Sequence, residues 1–143
     1  MYRYPCRIVR EDDGTFTVSF PDVPEALTCG KSHSEAIERA EDALSVALTF
    51  YLEEGQAVPT PGKIEQGMSP VGPHLHIALK VALADAMRER RVQVTDLAKK
   101  LGADHKTTRR ILDPGHATKT RILGEALKAL GKRPVLSLEE YAG

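Results

Sequence analysis

Tyr4, Cys6 and Ile8 alternate with Pro5, Arg7 and Val9, and beyond Asp12-Asp13-Gly14 a second run sets Phe16, Val18 and Phe20 between Thr15, Thr17 and Ser19. A period of two on both sides of a turn triplet predicts a β-hairpin with one buried face. Pro21 and Pro24 break the second strand, and Ala26 to Gly30 is expected to return as a short third strand. The period then changes. Ser32 followed three residues later by Glu35 makes a capping box, and Ala36, Ile37, Ala40, Leu44, Ala47, Leu48 and Tyr51 fall on one helical stripe. Gly55 stops this helix, and Pro59 and Pro61 prevent its resumption.

Pro59 to Pro73 holds four Pro and three Gly without a helical period, as in a linker or a strand with irregular flanks. His74 and His76 alternate with Leu75 and Ile77, which suggests a short edge strand there. From Leu79 the pattern is helical: Leu79, Leu83, Ala86 and Met87 share a face, and Arg88, Arg90 and Arg91 close the helix with the cations its dipole favours. Thr95 is expected to cap a second helix with Leu97, Ala98 and Leu101 inward, and Gly102 to turn the chain. Asp104 then caps a third helix whose Thr108, Ile111 and Leu112 face back. A small residue at the helix crossing (Ala98), a glycine in the turn and apolar anchors at Leu97, Leu101 and Ile111 are what a helix-turn-helix requires. Thr108 stands where Val or Ile is commoner. A last helix carries Ile122, Leu123, Ala126, Leu127 and Leu130 inward and stops at Gly131, after which Val135, Leu136 and Leu138 suit a final strand or a dimer contact.

Charge divides the chain near residue 70. Residues 1–70 hold twelve Asp/Glu against six Lys/Arg, and residues 71–143 hold fourteen Lys/Arg against eight Asp/Glu, so a net charge of zero hides −6 and +6. The expected organisation is a domain at 1–58, a linker at 59–73 and a second domain at 74–143. The basic half suits phosphate neutralisation, and the acidic half suits basic partners. The first helix turns Glu38, Glu41, Asp42 and Glu53 outward with only Arg39 in reply. On the third helix of the basic half, His105, Lys106, Thr107, Arg109 and Arg110 face outward, a set able to donate to guanine edges and phosphates. With Thr95 they form the expected DNA-binding residues.

Other chemistry is poorly supported. Asp12, Asp13, Asp22 and Glu25 lie off the helix, but the first two belong to a hairpin turn and Asp22, between Pro21 and Val23, suits an Asx-type turn. His74-x-His76 has no third His and no Cys nearby, so neither a metal nor a cofactor is expected, and no catalytic residue is assigned. Cys6 and Cys29, on separate predicted strands, read as two small buried hydrophobes rather than a disulfide or a redox couple. No run of about 18 apolar residues would cross a bilayer, and the start lacks the apolar region of a signal peptide, so a cytoplasmic protein without membrane contact is expected.

Tyr4-Pro5, Asp12-Asp13-Gly14 and the series from Val18 through Phe20-Pro21-Asp22-Val23-Pro24-Glu25-Ala26-Leu27 to Gly30, followed by a capped acidic helix, resemble the HicB antitoxin family. The resemblance implies a partial ribonuclease H-like sheet with one covering helix, lacking that fold's metal-binding active site. It also implies a HicA-like partner, a small basic RNA-cleaving toxin. Residues 75–133 resemble the lambda-repressor-like helix-turn-helix group, and His116-Ala117-Thr118-Lys119 and Ala129-Leu130-Gly131-Lys132 resemble HicB antitoxins that carry such a domain. The reading is an α+β, non-enzymatic antitoxin that represses its own operon. A homodimer or higher homo-oligomer on palindromic half-sites is its economical form. The alternative is a ligand-sensing helix-turn-helix regulator unpaired with a toxin.

Overall fold

The computed structural model describes residues 2–141 and 143. The chain is mixed α+β and divides into two compact units: Met1–Phe50, Pro59–Leu75 and Glu139–Gly143 in one, Tyr51–Val58 and His76–Leu138 in the other.

In the first unit, β1 (Tyr4–Arg10) and β2 (Phe16–Ser19) form the expected hairpin, with Ile8 opposite Val18 and Arg10 opposite Phe16. Its turn is held by Asp13, whose Oδ1 accepts the Thr15 amide at 2.9 Å and the Thr15 hydroxyl at 2.6 Å. β3 (Leu27–Gly30) pairs antiparallel with β2. The Pro- and Gly-rich stretch supplies β4 (Ser69–Val71), antiparallel to β1, so the order is β3-β2-β1-β4.

Helix α1 (His33–Glu53) covers one face of this sheet. The Glu35 amide donates to Ser32 Oγ at 3.1 Å, while Glu35 Oε2 accepts from the Lys31 amide at 2.8 Å, so the reciprocal half of the box lands one residue early. Ala36, Ile37, Ala40, Leu44, Ala47 and Leu48 are buried, as are Tyr4, Cys6, Val18 and Phe20 from the sheet side. Gly55, at φ +66°, ends the helix in a left-handed cap, with the Gln56 amide returning to the Tyr51 carbonyl at 2.9 Å. Cys6 is buried as expected; Cys29 is exposed, because it lies on the outer side of an edge strand, and both thiols are free.

The second unit contains α2 (Leu75–Arg90, Leu75 itself grouping with the first unit), α3 (Val94–Leu101), α4 (His105–Leu112) and α5 (Thr120–Ala129). The strand expected around His74–Ile77 is absent, since residues from Leu75 on are helical. Ile77 and Val81 are both buried, four residues apart, and this helical spacing prevails over the two-residue alternation. Leu83, Ala86, Leu97, Ile111, Leu123, Ala126, Leu127 and Leu130 form the core of this unit. Gly102, at φ +62°, turns the chain between α3 and α4. The cap of α3 is Gln93 rather than Thr95: its amide donates to Asp96 Oδ2 at 3.0 Å, and Thr95 sits inside the first turn. Val135, Leu136 and Leu138 form no strand and are exposed.

Candidate functional site

Helix α4 begins at Asp104, whose Oδ1 accepts the Thr107 amide at 2.7 Å. That backbone hydrogen bond holds the Asp104 carboxyl below the ordinary carboxylate range. With the helix start so fixed, the 3.6-residue period sends Thr108 and Ile111 into the core and leaves His105, Lys106, Thr107, Arg109 and Arg110 exposed. The Thr108 hydroxyl, inside that core, is satisfied within its own helix by donating to the Asp104 carbonyl at 2.8 Å. Nε of Arg109 donates to His105 Nδ1 at 3.2 Å, one turn back on the exposed face. Thr95 is exposed on α3, which packs against α4. Five of the six residues expected to meet DNA thus share one eight-residue helix, which presents three formal cations to solvent.

At the far end of α4 stands a residue that sequence reasoning missed. Lys80 on α2 is 2% exposed, and its Nζ donates to the carbonyls of Ile111 (2.7 Å) and Arg110 (3.2 Å) and to Thr118 Oγ1 (2.7 Å). The last carbonyls of a helix lack intrahelical partners and carry its negative pole, so an ammonium there satisfies both needs. Burial pushes the Lys80 pKa down to about 8, with Asp113 opposing the shift. Thr118 extends the network, its Oγ1 lying 2.9 Å from His116 Nδ1. A signal was present in the sequence: Lys80 falls three residues after Ile77 and beside Val81, within the inward stripe.

On α1, Glu38 and Asp42 are exposed, while partial burial raises the Glu41 pKa. His74 Nε2 lies 2.8 Å from Asp42 Oδ1, and the His74 amide donates to Ser45 Oγ at 2.9 Å. Asp22 does not act through a turn of its own segment: its Oδ2 accepts the Gly62 amide at 2.8 Å, tying the series after β2 to the chain forty residues on. Among the described residues, no three His, Cys, Asp or Glu side chains converge as a metal site. No helix among them is long and apolar enough to cross a membrane.

One unit thus carries an acidic helix with a small sheet, and the other carries an exposed cationic helix. Residues 3–84 match the family described as "HicB_like antitoxin of bacterial toxin-antitoxin system", and the chain belongs to that family. It is 37% identical to "Antitoxin HicB 1" of Photorhabdus laumondii, the match covering 96% of this chain and 87% of that protein. It is 36% identical to "Antitoxin HicB" of Escherichia coli K12 over 91% of this chain and 94% of that one. For "Antitoxin HicB" of Pseudomonas fluorescens the identity is 33%, over 97% and 95%.

Proposed function

We propose that this chain is the cytoplasmic antitoxin of a type II toxin–antitoxin pair, that its acidic half neutralises a HicA-like RNA-cleaving toxin, and that its basic half represses its own operon. Helices α3 and α4 act as a lambda-repressor-like helix-turn-helix, and the sheet with α1 as a partial ribonuclease H-like domain without catalysis. The protein binds as a homodimer or higher homo-oligomer on palindromic half-sites, and α4 enters the major groove. The observation that carries the DNA-binding part is the sorting of α4, with Thr108 and Ile111 buried and Lys106, Arg109 and Arg110 all exposed. Kinship with proteins named antitoxins supports the toxin-binding part, and a −6 first half gives it a physical basis, since a surface made to hold RNA is itself positive.

The test begins with selection of a preferred DNA from a random pool by the purified full-length chain. Arg109→Ala and Arg110→Ala are then expected to weaken that DNA by about 1 to 3 kcal/mol and relax one position, whereas Lys106→Ala weakens all DNA alike and reduces the salt slope by about one. Folded variants with wild-type affinity and slope would remove α4 from the role. Copurification of an untagged HicA-like neighbour with the tagged chain tests the toxin, and steady Mg²⁺- or Mn²⁺-dependent RNA cleavage by the pure chain would overturn the non-catalytic reading.

A further inference from the structure

The stripe of α1 that packs on the sheet does not use all of the helix's apolar residues. Val46 and Phe50 lie outside it and are 57% and 60% exposed, and Leu27 on the edge strand β3 is 66% exposed. These three, with Ala43, line one open groove of about 710 Å³ that runs along α1 beside β3, wholly within the first unit. Its helical wall runs from Glu35 to Phe50, about 22 Å at 1.5 Å per residue, or four turns. Its rim carries four carboxylates, Glu25, Glu35, Glu38 and Asp42, against the guanidinium of Arg39, which is already paired with Glu35 at 2.6 Å, and His74, whose Nε2 lies 2.8 Å from Asp42.

We propose that this groove is where the toxin docks, and that it takes a basic amphipathic helix of about four turns whose apolar side chains seat on Val46 and Phe50 while its Lys and Arg meet the acidic rim. The inference rests on the antitoxin reading and deepens it by naming the surface and the chemistry of what fills it. An apolar floor at i, i+3, i+7 on α1 matches the spacing by which a partner helix presents its own anchors. The rim selects the partner: a second copy would bring the same acids against these, whereas a cationic helix finds complementary charge. The two parts divide the labour. Buried apolar anchors govern how long the complex lasts, and exposed rim charges govern how fast it forms and how salt affects that rate.

Tagged full-length chain and a co-produced HicA-like toxin provide the test, with association and dissociation rates measured from about 0.1 to 0.5 M salt. Phe50→Glu and Val46→Glu, both at exposed positions, are expected to raise the Kd by about 30-fold or more, mainly through faster dissociation. Glu38→Gln is expected to slow association and flatten its salt dependence, with dissociation unchanged. Val9→Glu, on the sheet face away from α1, is expected to change neither rate. If the two groove variants remain folded by circular dichroism and hold the toxin with wild-type dissociation, the groove is not the docking site while the antitoxin reading stands. A Val9→Glu loss equal to theirs overturns the groove assignment as well. Failure of the wild-type chain to bind the toxin brings down the antitoxin reading itself.

Discussion

Burial of Lys80 is tolerated because the end of α4 lies where its ammonium sits, with two carbonyls and a hydroxyl as acceptors. Lys80→Met leaves the carbonyls of Arg110 and Ile111 without that donor, and a cost of about 1 to 3 kcal/mol is expected at pH 7. The unfolded amine keeps its proton to about 10.5, whereas the folded one loses it near 8. Between those values the unfolded state binds the extra proton, so stability from this group rises with pH across that window and is flat below 8. Urea unfolding of both proteins from pH 7 to 10.5 checks this: the wild type is expected to gain on Lys80→Met above pH 8, and parallel profiles would refute it. Gly30 is a second constrained position. A Cβ there would meet the backbone of α1 at 2.6 Å from the Ala36 nitrogen and 2.8 Å from its Cα. Gly30→Ala is therefore expected to lose about 1 to 3 kcal/mol by forcing α1 away from the sheet, a loss that thermal unfolding would register.

At the scale of the element, Asp104 and Thr108 both make hydrogen bonds within α4, with different consequences. Asp104 satisfies an orphan amide, and Asp104→Ala is expected to cost about 1 kcal/mol of stability and to weaken DNA binding in step with it. Thr108 behaves differently. The Asp104 carbonyl that accepts its hydroxyl also accepts the Thr108 amide at 3.1 Å, so removing the hydroxyl orphans nothing. Thr108→Val is thus expected to leave the midpoint of urea unfolding unchanged or raised; a loss above about 1 kcal/mol would mean that the hydroxyl has another task.

For the whole molecule, opposite charges cancel to a pI near 7.0, and the bulk value conceals two halves of opposite charge. The reading as a dimeric operator binder predicts two half-sites about 34 to 36 Å apart, one turn of the duplex. Scrambling one half-site in the selected DNA is expected to lower affinity to near the non-specific level in gel-shift titrations. Equal affinity for the single half-site would make the binding unit a monomer.

The hairpin, the capped α1, the turn at Gly102 and the outward face of α4 were all legible in the sequence, because each follows from contacts within a few residues: an alternation, a cap, a glycine, a period of 3.6. What was not legible depends on residues far apart. β4 is three residues long with Pro70 at its centre, and it is a strand only because Val71 lies opposite Tyr4. Leu75 to Ile77 read as a short edge strand ahead of the helix, and burial of Ile77 and Val81, four residues apart, made them helical instead. Asp22 read as a local turn, but Gly62, forty residues on, is what its carboxylate holds. A lysine in a helical run reads as solvated, and only tertiary packing brought the end of α4 onto Lys80; likewise the surplus apolar residues of α1 became a groove only when β3 settled beside them. Local periodicity determined which elements form and which way their side chains face, while the tertiary structure decided which distant groups meet, because a sequence period carries no information about what stands opposite it.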